Sequence, residues 1–173
     1  MADQRPSDEQ IDQWYPRMYR AALRMTGDVH VAADLTQDAF CEALGHWDSF
    51  DGKALPTTWI YRILINCVRD WARRRRPVAV ESIDQWDLPA ARQGQDAGEP
   101  LARQEELAHL RMAVSGLSET LRPAFVATVL DGCTYLEASE MLSVPVGTIA
   151  SRVHEARRRI MAAMRQQYPE AGQ

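Results

Sequence analysis

The stretch Gly132–Ile160, GCTYLEASEMLSVPVGTIASRVHEARRRI, constrains this chain more than any other, because two helical patterns meet there across a very short break. Tyr135, Ala138, Met141 and Leu142 recur at helical spacing; Ser143, Val144 and Pro145 interrupt; a second helix restarts at Val146 with Ile149, Val153, Ala156 and Ile160 on its inner side. Pro145 suits the turn because it has no amide hydrogen for a helix interior to use. Helices joined this closely cross tightly, and Ser139 and Ser143 are small enough for the crossing. The pattern reads as a helix-turn-helix whose second helix turns Thr148, Ser151, Arg152, His154, Glu155, Arg158 and Arg159 outward. Hydroxyls and guanidinium groups so placed can reach base edges and phosphates in a major groove. An ordinary helical hairpin with a solvated charged face fits the same pattern.

The rest of the chain is also helical in period. A first pattern runs from about Asp8 to Thr26, with Ile11, Trp14, Tyr15, Met18, Ala22 and Met25 as its apolar stripe and residues 1–7 frayed ahead of it. Pro16 argues that the main helix starts near Tyr15, since an interior proline costs about 3 kcal/mol. Gly27 ends this helix and Asp28 caps the next, about His30 to Trp47. There Ala32, Leu35, Ala39, Ala43 and Leu44 face a core, Phe40 sits at the edge, and Asp34, Gln37, Asp38 and Glu42 form an acidic face. Such a face is either solvated or a protein-docking surface. Asp48–Pro56 is a loop by its Gly, Pro and Asp content, and Thr57 or Thr58 opens a helix reaching about Arg76. In that helix Trp59, Tyr61, Arg62, Arg69, Trp71 and Arg73 interleave aromatic and basic residues. The mixture suits single-stranded DNA, where bases stack on aromatic faces and cations hold the backbone. Tryptophans in a helix can equally be core.

Residues 77–100 lack an apolar period and carry Pro77, Pro89, Gly94, Gly98 and Pro100, the pattern of a linker. Periodicity resumes with Leu101, Leu107, Leu110, Met112, Val114 and Leu117, and Ser118 is placed to cap a further helix containing Leu121, Phe125 and Val126. The expected architecture is all-α: two small helical domains, 8–76 and 101–164, on a flexible acidic linker, 77–100.

Charge is segregated along this plan. From Arg62 to Arg76 there are six arginines against one acid, whereas 77–106 holds seven acids and two arginines. The formal net charge of −4 argues against indiscriminate nucleic-acid binding, so selective contact must come from the basic segments. No apolar run is long enough to span a bilayer, and the start MADQRPSDEQ is unlike a secretory signal, so a cytoplasmic location without membrane insertion is expected. Cys41, Cys67 and Cys133 form no CxxC pair and read as helix-packing thiols. His30, His46, His109 and His154 lie on different helical patterns, with no metal-ligand or nucleophile–base spacing. Neither a catalytic site nor a metal or cofactor site is expected.

DLTQDAF at 34–40, TTWIYRILINCVRDWARRRR at 57–76 and GTIASR at 147–152, in this order and spacing, resemble the extracytoplasmic-function (ECF) sigma factors of bacterial RNA polymerase. The resemblance covers about Tyr15 to Met164. It implies a dissociable subunit, without chemistry of its own, that confers promoter recognition and strand opening. It implies core-polymerase clamp binding through Asp34, Leu35, Gln37, Asp38 and Phe40. The −10 element would fall to the loop at 48–58 and to Trp59, Arg62, Asn66, Arg69, Asp70 and Arg73, with a flipped non-template base captured during melting. Thr148, Ser151, Arg152, His154 and Arg158 would take the −35 duplex, and the second domain would touch the polymerase flap. The linker would thread toward the active-site and RNA-exit channels. An anti-sigma factor would hold the free protein inactive and cover apolar faces near Phe40, Trp86 and Phe125.

The chain departs from the family at Ala150, where a basic residue is frequent, and at Glu155, where another DNA contact is common. Fewer cations should weaken −35 binding and flatten its salt dependence. The family's small-residue pattern with glycine is replaced by Glu137, Ala138, Ser139 and Ser143. Two alternatives stand beside the sigma factor: a sigma-like decoy that binds a regulator without DNA, and a stand-alone helix-turn-helix regulator. The latter needs a symmetric dimer and leaves the Trp59–Arg76 helix unexplained.

Overall fold

A computed structural model describes residues 5–75 and 101–167, and every regular element among them is helical. Helix α1, Asp8–Thr26, begins a full turn and more before Tyr15, and Ser7 is its cap rather than part of a frayed end. Ser7 Oγ accepts from Gln10 N–H at 3.3 Å, and Gln10 Oε1 accepts from Ser7 N–H at 2.9 Å. This reciprocal capping box anchors the first turn. Pro16 is tolerated inside α1 because it lies on the exposed side, where water can serve the carbonyl its ring leaves without a donor. Gly27, at φ 73°, closes the helix in the left-handed conformation that glycine adopts without penalty.

Helix α2, Val29–Gly45, is capped by Asp28, whose carboxylate accepts from His30 and Val31 N–H at 2.9 and 3.1 Å. It stops before Trp47, which lies buried in a 3-10 turn, Trp47–Ser49. The loop then leads to α3, Pro56–Arg75, with proline at its first position, where no amide hydrogen is needed. The three helices pack around Met18, Ala21, Ala22, Met25, Ala32, Ala39, Ile60 and Leu64. Phe40, expected at an edge, is buried and stacks on Tyr15 at a centroid distance of 5.7 Å.

Helix α4, Leu101–Ser115, is embedded only at its C-terminal end. Val114 and Leu117 are buried, but Leu107, Leu110 and Met112, expected inward, are exposed. Helix α5, Leu121–Phe125, continues into a π-helical turn, Val126–Leu130. Ser118 does not cap it with its side chain: the hydroxyl pairs with that of Thr120 at 3.1 Å, and only the Ser118 carbonyl accepts from Leu121 and Arg122 N–H. Phe125 is buried; Trp86 and the expected linker fall outside the described residues.

The helix-turn-helix is formed by α6, Tyr135–Leu142, and α7, Val146–Gln167. Thr134 and Glu137 make a second capping box ahead of α6. Ala138, Met141, Leu142, Ile149, Val153, Ala156 and Ile160 are all buried, whereas Tyr135 is largely exposed. Ser139 Oγ donates to the Val144 carbonyl at 2.7 Å and ties the turn. Ser143 is exposed and plays no part at the helix crossing; it caps α6 at φ 53°. A left-handed conformation costs an L-residue roughly 1–2 kcal/mol, partly offset in glycine by backbone entropy. Ser143→Gly should therefore stabilise the fold by about 0.5–1 kcal/mol, a rise of roughly 1–4 °C in thermal unfolding followed by circular dichroism.

The two helical domains do not stand apart. Ala124, Val126, Ala127, Cys133, Ala138, Met141 and Leu142 join the core built by α1–α3, while Val114, Leu117, Leu121, Phe125, Ala156 and Ile160 form a smaller core.

Candidate nucleic-acid interface

The period of α7 that buries Ile149, Val153, Ala156 and Ile160 leaves the opposite side to polar groups. Ser151 and His154 are exposed there, Thr148 and Arg152 half-buried, and Arg158 exposed. Ser151 Oγ donates back to the Thr148 carbonyl at 3.0 Å. Glu155 sits among the cations and takes two bonds from Arg158 and one from Arg159, each at 2.8 Å. These guanidinium groups hold its carboxyl down at about 2, so it is ionised at neutral pH. Arg158 is thus partly neutralised within its own helix. Glu155→Ala should free both arginines and steepen the salt dependence of duplex binding by roughly 1–2 in log–log slope, read by fluorescence anisotropy across salt concentrations. An unchanged slope would place both arginines away from phosphates.

Helix α3 carries the second group of candidates. Trp59 is half-buried, edge-on to Trp47 at 5.6 Å and beside Phe50 at 5.3 Å, so this tryptophan is at least partly a packing residue. Arg62 is exposed, yet its guanidinium donates to the Glu140 carbonyl at the end of α6 at 2.7 and 3.2 Å. Asn66, Arg69, Asp70 and Arg73 line an open groove of about 760 Å³ with Asp34, Leu35, Asp38 and Glu42 of α2. Arg73 pairs with Asp70 at 3.0 Å. The guanidinium of Arg69 is pulled below its ordinary pKa by burial and then by the nearby charge of Arg152.

On α2, Asp34, Gln37 and Asp38 are exposed as the period requires. Leu35 and Phe40 are buried, because positions 32, 35, 36, 39, 40 and 43 share the core face of this helix. They support the acidic face from beneath, and only Leu35 shows a small part of its surface, at the groove. Of the cysteines, Cys133 is buried and Cys67 half-buried, but Cys41 is exposed on α2 and packs against nothing in the core. Burial and the neighbouring Glu42, Asp38 and Asp70 push the Cys67 thiol up to about 11, which keeps it protonated and unreactive. Among the described residues there is no cluster able to hold a metal ion and no helix long and apolar enough to cross a membrane.

Sequence reasoning missed the contacts between the domains. Tyr61, read as a residue of a mixed aromatic and basic face, is fully buried, and its hydroxyl donates to Asp131 at 2.9 Å. Arg24 also pairs with Asp131 and donates to the Leu130 carbonyl at 3.1 Å. Arg17 donates to Cys133 Sγ at 3.1 Å.

Residues 10–78 match the family model of Sigma-70 region 2, and residues 107–160 that of Sigma-70, region 4. The ECF RNA polymerase sigma-E factor of Escherichia coli K12 is 34% identical over 142 residues, spanning 78% of this chain and 73% of the relative. The chain belongs to the ECF sigma factors. Another member, SigW of Bacillus subtilis, is 28% identical over 90% of this chain and 87% of its own. Among solved structures, the sigma factor RpoE of Bartonella quintana, in complex with the anti-sigma factor NepR, matches with a TM-score of 0.68 at 25% identity, over 91% of this chain and 95% of that one. CnrH, in complex with the cytosolic domain of CnrY, shares the fold with a TM-score of 0.67. As a sigma factor this chain serves transcription initiation, bringing promoter recognition and strand opening to core RNA polymerase.

Proposed function

We propose that Thr148, Ser151, Arg152, His154 and Arg158 read the −35 duplex from α7, and that Trp59, Arg62, Asn66, Arg69, Asp70 and Arg73 of α3, with the loop at 48–58, take the −10 element. The acidic face of Asp34, Gln37 and Asp38 docks the polymerase clamp, with Leu35 and Phe40 holding it in place. The second domain, 101–164, touches the flap; the first is 8–76, and 77–100 connects them. The protein acts in the cytoplasm, carries out no chemistry of its own and needs no cofactor. The observation that carries this reading is the sharp two-sidedness of α7, with its apolar residues inside and its hydroxyl, imidazole and guanidinium groups outside. The solved relative held by an anti-sigma factor supports control of this chain by a protein of that kind.

Run-off transcription with core polymerase on genomic fragments tests the reading. New transcript starts sharing −10 and −35 sequences are expected and would supply the promoter. Core binding without new starts would favour a decoy, and absence of core binding a stand-alone regulator.

A further inference from the structure

Of the 20 lysines and arginines in this chain one is a lysine, Lys53. It lies at the tip of the loop between the 3-10 turn and α3. Asp51 shapes that tip: its Oδ1 accepts from the Lys53 N–H at 3.1 Å and its Oδ2 from Lys53 Nζ at 2.8 Å, around Gly52 at φ 69°. The lysine side chain is nevertheless 86% exposed. The bond to Asp51 raises the ammonium above its ordinary pKa, so it is charged at neutral pH. An exposed ion pair of this kind adds little to stability.

Both ends of the loop are fixed. The Phe50 ring lies 5.3 Å from those of Trp47 and Trp59, and the Leu55 carbonyl accepts from Thr58 and Trp59 N–H at 2.9 and 3.1 Å. Lys53 is three residues from Phe50 and three from Pro56, which keeps its Cα within about 11 Å of each. The ammonium is thus held near Trp59. Residues 48–58 carry two carboxylates, Asp48 and Asp51, and this one cation, so without Lys53 the loop would only repel a polyanion. An ammonium has three donors; one goes to Asp51, and two remain for the oxygens of a second anion. As a compact point charge it meets a phosphate from many angles, where the planar fork of an arginine needs alignment.

Resting on the −10 reading of this loop, we propose that Lys53 binds a backbone phosphate of the separated non-template strand, with Asp51 holding the ammonium in place. A backbone contact of this kind fixes register and adds affinity without reading base identity.

Binding of a single-stranded non-template −10 oligonucleotide by the holoenzyme, followed by fluorescence anisotropy across salt concentrations, tests it. Lys53→Gln should lower the log–log salt slope by about 0.7, the value for one phosphate of a single strand. Over the tenfold step from 1 M to 0.1 M salt that slope corresponds to binding about fivefold weaker, evenly across −10 sequences. Lys53→Arg should restore most of the slope. Replacing one phosphate at a time by a neutral methylphosphonate identifies the partner: one position should cost the wild type about fivefold and Lys53→Gln nothing. Since no other side chain of this subunit carries a primary amine, acetylation by an N-hydroxysuccinimide ester, read by mass spectrometry on the Lys53 peptide, reports the contact without mutation. The oligonucleotide should protect Lys53 several-fold. An unchanged slope in Lys53→Gln, with wild-type binding intact, would overturn the phosphate contact and leave the −10 reading standing. A loss confined to one base identity would overturn it as well, making Lys53 a base contact. A wild type that joins core polymerase but retains no −10 strand would remove the loop from that role, and the phosphate contact with it.

Discussion

Replacing Arg122 by alanine should lower the stability of this chain by about 3–5 kcal/mol, a larger loss than at any surface position. Its guanidinium is well buried and donates to three carbonyls: Met25 at 2.7 Å, Leu117 at 2.8 Å, and Ser115. Two of these lie at the C-terminal ends of α1 and α4, where the last carbonyls lack partners within the helix and carry partial negative charge. One cation therefore closes two helix ends from different domains. Burial lowers the pKa of this guanidinium, against a smaller opposing effect of Glu119, but an arginine keeps its proton throughout. Truncation leaves a cavity and three carbonyls without donors, each charge-assisted bond having contributed about 1.5–3 kcal/mol before the cost of desolvation. Nε is buried with no partner among the described residues, which puts the whole contribution on the two terminal nitrogens. Thermal unfolding should fall by roughly 10 °C in Arg122→Ala. Arg122→Lys should fall between the two, since it keeps the charge and loses the fork that spans both helix ends. A fall under about 1 kcal/mol in the alanine variant would mean that water replaces the guanidinium without loss.

The period of the hydrophobic residues made most of the fold legible. The inward set of α7 is buried without exception, and Asp28 caps α2 as its position implied. Where the reading failed, a local rule met a neighbour it could not contain. Pro16 looked like a helix start, but it lies on the side of α1 that faces water. Leu107, Leu110 and Met112 kept a helical period although only the end of α4 meets a core. Tyr61 appeared beside arginines in a mixed face, and its burial depends on Asp131, 70 positions away. Arg17 and Cys133 are 116 positions apart. No pattern within a helix encodes such pairs, so the packing between the two domains could not be read from sequence, whereas the two-sided α7 and acidic α2 could. Glu155 lies between these cases. Its spacing of three and four from Arg158 and Arg159 marks an ion pair on a helix, and the sequence reading weighed it only as a missing DNA contact.

Arg152→Ala should weaken promoter binding by the holoenzyme by about 1–3 kcal/mol, with no loss of core binding. Glu155 draws in Arg158 and Arg159, while no acid is bonded to Arg152 in any pair found among the described residues. Arg152 can therefore meet DNA without first giving up an ion pair. Its position one turn after Thr148 also puts it near the start of α7, the part of a recognition helix that enters the groove. Arg152 also stands near enough to Arg69 of α3 for the two charges to repel, and alanine removes that repulsion. The variant should therefore keep thermal stability equal to or slightly above that of the wild type. A base contact and a phosphate contact differ in their signatures. Loss of a phosphate contact weakens binding evenly across −35 sequences and reduces the log–log salt slope by about 1. Loss of a bidentate base contact instead relaxes discrimination at one position of the element. Competition binding with single-base variants of the promoter found by run-off, at two salt concentrations, separates them. Undiminished affinity in a variant with native helix content would remove Arg152 from the −35 interface and move that role toward Ser151 and His154.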